Sequence, residues 1–389
     1  MKKIFILAGE PSGDLYGSEI IKALNAKGSY SFVGMGGHNM VEAGMDCVQS
    51  IDNMNVMGFI DVFKKIFFFL DIIKKIKKII IDLKPDAVIT LDYPGFNLRI
   101  SEFAKSLGIP TYHFVAPQVW AWRQSRAKKL SRKIDHLFVF HSFELPFFKA
   151  YMKNVHYIGH PLHQMVNHKM SSDSFSPTSD RFRICLAPGS RLSEINDLLP
   201  VFRDAVLLFD NLLGKNNRPN LDIVISQTKN NTNLALYNVI KDSLNSASMS
   251  IECRLSNDPL ETVVLDRHIT LVVSGTATLV CGLAGCPMIV CYKTGNLSLA
   301  IARRLLDIPV FSLVNIVADT SAVPELGQEQ SNPQIIAHYI LGMYKDKDVT
   351  QYIKRELDNI IAKGERGSPM NTAADFIDLS MKKPETNEN

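Results

Sequence analysis

The chain has 389 residues, 46% of them hydrophobic and 21% charged, with a net charge of +4. At roughly 150 residues per domain this is a two-domain protein with apolar material for two cores, which excludes disordered, collagen-like and small disulfide-stapled classes. The charge is uneven: residues 1–165 hold 21 Lys+Arg against 14 Asp+Glu, and the remainder holds 22 against 25.

An excess of that kind, without an arginine-rich arm, directs the first part toward an anionic surface or ligand and away from nucleic acid. The six cysteines include no C-x-x-C pair, and the opening MKKIFILAGEPSGD has too short an apolar run for a signal peptide, so a reducing cytosol is expected. Two apolar segments imitate membrane spans. Lysines and aspartates interrupt Val56–Ile81, and Ser274-Gly275-Thr276 and Gly285-Cys286-Pro287 divide Ile269–Tyr292 into strand, turn, helix and strand.

In chain order, strands are predicted at Lys3–Ala8, Ser31–Gly34, Ala87–Leu91, Pro110–Val115, Leu137–Phe140 and His156–Ile158, with a first helix from about Leu15. A serine-rich stretch, 169–181, reads as the linker. Strands resume at Phe182–Ala187, Leu221–Ser226, Met249–Cys253, Ile269–Val273 and Met288–Tyr292, with a helix from about Glu194. Alternation of apolar runs with helical-period segments defines an α/β protein with two Rossmann-like doubly wound domains facing a central cleft. The tail from Lys382 reads as frayed.

Ligands of doubly wound sheets bind outside the carboxyl ends of the strands, so the loops there carry the chemistry. Gly9-Glu10-Pro11-Ser12-Gly13-Asp14 offers close backbone approach and helix N–H groups; a tight turn capped by Ser12 or Asp14 is the plainer reading. It is no dinucleotide fingerprint, because G-x-G-x-x-G is missing. Asp92 ends the Ala87–Leu91 strand, where a general base for a substrate hydroxyl is useful, or where the carboxylate merely ties its own loop. Pro188-Gly189-Ser190-Arg191 pairs a helix start with a guanidinium fork suited to phosphate, and Ser274-Gly275-Thr276-Ala277-Thr278 repeats the geometry, so the two together point to a nucleotide held by its phosphates.

No metal is expected. His156, His160, His163 and His168 share no helical register, and Asp346-Lys347-Asp348 sits in a charged surface stretch. On a helical wheel, Val56–Ile81 gathers Lys64, Lys74, Lys75 and Lys78 in one arc, with Phe63, Ile66, Phe67, Phe69, Leu70 and Ile73 across much of the rest. That suits an interfacial helix on anionic headgroups, or else a core helix with a lysine-covered outer face.

These motifs together resemble the bacterial lipid-A-disaccharide synthase family. The matching segments are Ala8–Asp14, Gly34-Met35-Gly36-Gly37, Met57-Gly58, Asp92–Asn97, Ala116–Arg123 with both tryptophans, Gly159-His160-Pro161-Leu162, Pro188–Arg191, Ser274–Leu279, and Pro324-Glu325 with Gln328. The resemblance implies a GT-B fold and an inverting transfer of 2,3-diacylglucosamine from UDP to the 6-hydroxyl of 2,3-diacylglucosamine 1-phosphate, without cofactor or metal. It implies an acceptor and membrane-facing domain over 1–168, a donor domain over 182–345, and a helical segment, 346–389, returning to the first domain. Asp92 is then the catalytic base, Gly9, Glu10, Ser12, Gly13 and Asp14 the acceptor loop. Gly189, Ser190, Arg191, Ser274, Gly275, Thr276, Asn315, Glu325 and Gln328 become the donor site.

Phe63, Phe67, Phe69, Leu70, Lys74 and Lys75 are expected on the anionic cytoplasmic face of the inner membrane, and homodimer assembly is compatible with the family. Alternatives are a related GT-B transferase or epimerase on an unacylated UDP-sugar, or an impaired nucleotide-sugar binding homologue. The family usually has Glu at Val280, Pro at Val314 and Leu at Gly327. A ribose-facing position 280 would make Val280→Glu tighten UDP binding, whereas a core position would make it destabilising.

Overall fold

Continuous apolar runs in the first unit become strands buried on both faces, as a parallel sheet covered by helices requires. The computed structural model describes residues 1–51, 62–119, 124–164, 166, 181–214, 219–227, 233–293, 310–363 and 367–382, with backbone alone for 62–68, 124–125 and 362–363. Contacts divide the chain into Met1–Pro161 with Arg366–Asn389, and Leu162–Glu365.

The first unit holds β1 (Lys2–Ala8), β2 (Tyr30–Gly36), β3 (Met45–Ser50), β4 (Ala87–Leu91), β5 (Thr111–Phe114), β6 (His136–Val139) and β7 (Val155–Tyr157). Their spatial order is β3-β2-β1-β4-β5-β6-β7, all parallel. Alternate residues of β1 serve opposite layers. Ile4, Ile6 and Ala8 pack in one cluster with Ile20 and Leu24 of the helix Pro11–Asn25 and with Met370, Ala373 and Ile377 of the helix Pro369–Lys382. Phe5 and Leu7 pack with Ile72, Ile76 and Ile80 of the helix Val62–Leu83 and with Phe96 and Ile100 of the helix Pro94–Ser106.

The second unit holds β8 (Arg181–Ala187), β9 (Asn220–Ser226), β10 (Ile251–Ser256), β11 (Ile269–Val273), β12 (Met288–Tyr292) and β13 (Glu325–Gly327), ordered β10-β9-β8-β11-β12-β13 and again parallel. The expected linker, 169–181, lies outside the described residues except for Arg181, which opens β8. The division falls at Pro161, ahead of the expected 168, because Leu162 and Val166 are buried in the second unit's core. The segment 346–389 also divides. Ile353, Leu357 and Ile360 of the helix Lys347–Lys363 join the second core, and only the last helix packs on the first unit.

That last helix is fastened by polar contacts as well. Tyr112 and Ser380 share a hydroxyl hydrogen bond of 2.7 Å, Lys27 pairs with Asp375 at 2.6 Å, and the Tyr30 hydroxyl donates to Asp378. Phe376 lies 4.1 Å, ring to ring, from His156, whose Nε2 is 3.2 Å from Nδ1 of His136. Both rings are held neutral, since burial first and then nearby positive charge push their pKa values down, that of His136 to about 4. Inside the sheet, His113 is fully buried, with Nδ1 2.8 Å from the Thr90 hydroxyl, and burial lowers its pKa to about 4.

Unfolded histidine protonates near pH 6.5. Below that pH the unfolded chain takes up protons that the folded state refuses, so stability is complete above about pH 6.5 and is lost as pH falls toward 4. The depressed pKa of His113 corresponds to ~3 kcal/mol. Urea midpoints should therefore drop between pH ~7.5 and ~4.5, and His113→Asn should shrink the drop. An undiminished drop in that variant would locate the acid sensitivity elsewhere.

Candidate functional site

In the first unit the chain leaves β1 toward β2 and leaves β4 toward β5 on the other side, so the loops after these adjacent strands part and open a crevice. The first helix starts at Pro11, four residues ahead of the expected start, because proline suits a first helical position whose N–H has no partner. Neither Ser12 nor Asp14 caps that helix. The Ser12 hydroxyl instead donates to Oδ2 of Asp92 across the crevice at 3.3 Å.

Asp14 turns away. Its Oδ1 accepts from the backbone of Gly37 (2.7 Å) and Met40 (3.1 Å), and its Oδ2 from Asn39 backbone (3.1 Å) and side chain (2.8 Å). At 3% exposure it clamps the helix His38–Glu42 to the first loop, which corrects its assignment as an acceptor-binding group. Gly13 is buried against Ala8 and the Leu91 carbonyl, and Gly9 lies under the Tyr93 ring, whereas Glu10 is exposed at the rim.

Asp92 (φ +53°), Tyr93 (+47°) and Val115 (+67°) adopt left-handed backbone at the ends of β4 and β5. Each such residue costs about 1–3 kcal/mol and persists where its surroundings over-determine it, a mark of functional edges. Asn97 supplies part of that constraint, its side-chain amide donating to the Leu91 (2.9 Å) and Asp92 (2.7 Å) carbonyls. Asp92 keeps its carboxylate at the crevice, with Oδ1 accepting from the Tyr93 amide at 2.8 Å. Beside it lies Tyr16, 5% exposed, its hydroxyl pKa pushed up by burial and then by the Asp92 charge. Tyr16 packs edge-on to Phe140 (5.2 Å) and His160 (6.1 Å). Sequence reading missed Tyr16, although its i,i+4 spacing from Ser12 places both on one helix face.

The second unit repeats the arrangement between β8 and β11. Gly189 has φ +112°, and a Cβ there would stand 2.3 Å from Glu194 Oε2 and 3.0 Å from Val273 Cγ1, so only glycine lets the loops after β8 and β11 come this close. Ser190, Gly275 and Thr276 are exposed on these loops, while Ser274 donates to the Phe311 carbonyl at 3.2 Å. Arg191 is exposed, and one guanidinium N–H donates to Glu194 at 2.8 Å.

Asn315 and Glu325 are turned inward, contrary to their assignment as donor ligands. The Asn315 side chain, fully buried, bonds the Val323 backbone through both its oxygen (3.0 Å) and its nitrogen (2.9 Å). It also donates to Glu325 at 2.7 Å. Glu325 further accepts from the backbone of Phe311 (2.7 Å) and Ser312 (2.9 Å) and from the Ser312 hydroxyl. Together they hold the start of the helix Leu313–Ala318. Gln328 sits just past β13 at φ +54°.

The lysine-bearing helix reads differently along its length. Ile72, Ile73, Ile76 and Ile80 are core, Lys74, Lys75 and Lys78 are outside, and Lys77 lies over the Phe103 ring at 4.6 Å. Leu70 is 40% exposed. Phe69 faces inward against Tyr93 (6.3 Å) and Phe96 (6.4 Å), which corrects its assignment to a membrane face. The side chains of Phe63 and Phe67 lie outside the described residues. No helix among the described residues is long and apolar enough to cross a membrane. No cluster of three or more metal-ligating side chains occurs among them. Asp346 caps its helix, accepting from the Asp348 amide at 2.9 Å.

Two parallel sheets of this strand order, each with its crevice between diverging strands, make the GT-B fold. Solved structures share the fold. MurG of Acinetobacter baumannii superposes with a TM-score of 0.61 at 14% identity, covering 97% of this chain and 100% of its own. The UDP-GlcNAc 2-epimerase of Neisseria meningitidis, solved with UDP-GlcNAc bound, gives 0.60 at 15%, covering 98% and 99%. Residues 4–377 match the lipid-A-disaccharide synthetase family, and the chain belongs to it. The lipid-A-disaccharide synthases of Trichlorobacter lovleyi and Syntrophus aciditrophicus are 34% and 36% identical, each over 92% of both chains. The protein is a glycosyltransferase of lipid A disaccharide synthesis.

Of the family departures, Val280 is 7% exposed, and it lies in the helix Thr276–Leu283 between the buried Leu279 and Cys281 of the second core. Position 280 is therefore a core position. Val280→Glu should lower stability by ~2–4 kcal/mol, the cost of burying a carboxylate without partners. Calorimetric UDP affinity should stay within about twofold, under 0.5 kcal/mol. Tighter UDP binding at an unchanged melting temperature would return the position to the ribose.

Proposed function

We propose that the crevice between β1 and β4 binds the acceptor, 2,3-diacylglucosamine 1-phosphate, and that Asp92 is its general base. The carboxylate takes the proton of the 6-hydroxyl as that oxygen bonds the anomeric carbon of the diacylglucosamine. The anomeric bond to UDP breaks, and its electron pair leaves on the diphosphate oxygen. The observation that carries this reading is Asp92 at the crevice edge, on left-handed backbone, with the Ser12 hydroxyl on its Oδ2. Exposed Glu10 and the first turn of the helix Pro11–Asn25 supply the polar groups of the acceptor loop.

UDP-diacylglucosamine is assigned to the crevice between β8 and β11. Backbone N–H groups at Gly189-Ser190 and Gly275-Thr276 face its diphosphate, and Arg191 adds the guanidinium N–H groups that Glu194 does not use. Gln328, just past β13, is assigned to the donor as well. Asn315 and Glu325 contribute indirectly, by holding the segment from Phe311 to Asn315.

Acylated substrates reside in a bilayer, and the reading places the protein peripherally on the cytoplasmic face of the bacterial inner membrane. Exposed Leu70 and the lysine face Lys74, Lys75 and Lys78 support it. Each lysine is worth about 1 kcal/mol on anionic lipid.

Transfer is measured with both lipid substrates by disaccharide formation. Asp92→Asn should lower turnover by about 100- to 10,000-fold with donor affinity unchanged. Near-normal turnover in the folded variant would remove Asp92 as base, and no disaccharide from the native chain would remove the assigned substrates. For the membrane, joint replacement of Phe67 and Leu70 by Ser should weaken co-sedimentation with anionic vesicles, and added salt should weaken it further. Phe69→Ser should instead lower stability. Undiminished vesicle binding by the double variant would exclude this face.

A further inference from the structure

Tyr93 carries no assigned role, yet its surroundings are unusual. Asp92 and Tyr93 are consecutive left-handed residues, and a bulky aromatic is a poor choice for that conformation. The ring is held from several sides. It covers the Gly9 backbone so closely that a Cβ on Gly9 would stand 2.5 Å from it. Phe69 meets it at 6.3 Å and Phe96 at 6.2 Å, ring centre to ring centre. Below the ring, the Tyr93 carbonyl accepts from the amides of Phe96 (3.1 Å) and Asn97 (3.0 Å), the first turn of the next helix. The Tyr93 amide donates to Asp92 Oδ1 at 2.8 Å.

We propose that Tyr93 is a positioning residue for Asp92: its ring, wedged between the Gly9 backbone and Phe69 and Phe96, holds the left-handed dipeptide that aims the carboxylate. Because the outer wall of the wedge is Phe69, the Phe69–Tyr93 contact joins the helix Val62–Leu83 to the loop bearing the base. The proposal rests on the reading of Asp92 as the general base. It assigns the work to the ring, and the tyrosine hydroxyl is dispensable. With the ring gone, only backbone bonds and the Asn97 amide still oppose relaxation of two residues in a disfavoured conformation, and the carboxylate shifts with its backbone.

The test is a double-mutant cycle on transfer between the two lipid substrates, with kcat, acceptor KM and melting temperature measured for each variant. Tyr93→Ala should lower kcat by about 10- to 100-fold, the cost of misplacing a catalytic group by about an ångström. Acceptor KM should stay within about threefold, because binding groups are untouched. Tyr93→Phe should restore kcat to within about threefold of the native chain, since it keeps the ring. In an Asp92→Asn background, Tyr93→Ala should change kcat by less than about twofold, since residues acting as a unit are not additive.

An equal loss from Tyr93→Ala in both backgrounds overturns the proposal, as does a Tyr93→Phe variant as slow as Tyr93→Ala. Should Tyr93→Ala fail to fold, Tyr93→Leu and Phe69→Leu enter the same cycle, and purely structural behaviour, a lowered melting temperature with native kcat, overturns it equally. Native turnover in Asp92→Asn alone fails the general-base reading itself, and is seen before Tyr93 is altered.

Discussion

In each sheet, one pair of neighbouring parallel strands sends its chain in opposite directions, and both candidate crevices depend on that reversal. Crossovers between parallel strands are right-handed, so a helix leaving β1 for β2 and one leaving β4 for β5 must lie on opposite layers. The loops that launch them cannot close over one another. The same reversal separates the loops after β8 and β11. Polar groups that would be unsatisfied inside a close-packed sheet are therefore tolerated at these two edges, and the loops after β1, β8 and β11 hold glycine with serine or threonine, whereas the loop after β4 holds Asp92.

Carboxylates near these edges divide by the number of donors already aimed at them. Asp14 accepts four hydrogen bonds and Glu325 accepts four, most of them from backbone, so each fixes local chain geometry and has no capacity left for a substrate. Asp92 accepts the Tyr93 amide and one long bond from Ser12, and retains lone pairs. Asn97 shows the complementary economy: buried, it spends its amide on two carbonyls of the strand end and thereby stiffens the backbone that carries Asp92.

Central strands were legible because burial on both faces leaves an unbroken apolar run, as in Ile4–Ala8 and Ile269–Val273. Two of the four outermost strands, β3 and β13, were not. Met45–Ser50 is half-polar, and Glu325–Gly327 has three residues, so neither bears a periodic signal; their pairing partners alone define them. The loops at the strand ends were found from glycine and hydroxyl content, but which side chains face outward was not. Asp14 and Asp92 occupy equivalent loops in the sequence, and only the course of residues 37–40 shows that one is consumed. Phe69 illustrates the same limit, because a wide apolar arc on a helical wheel does not distinguish core from membrane. The return of Pro369–Lys382 to the first unit follows from contacts that no local pattern encodes.

The departures from the family pattern fall within the packing of the second unit and leave its polar loops intact. A Cβ at Gly282 would meet Val314 Cγ2 at 2.8 Å, so the helices Thr276–Leu283 and Leu313–Ala318 touch where valine replaces the usual proline. Valine keeps a backbone N–H that proline lacks, and that N–H reaches the Thr278 hydroxyl at 3.4 Å. Val280 is buried on the same helix as Gly282, and a Cβ at Gly327 would be in ordinary contact with Phe311 at 3.7 Å. These positions therefore alter how two helices and β13 fit together. Gly189, Ser190, Arg191, Gly275 and Thr276 remain on loops set by β8 and β11, so the phosphate contacts proposed for them do not depend on the substituted positions, whose packing bears instead on the segment from Phe311 to Asn315.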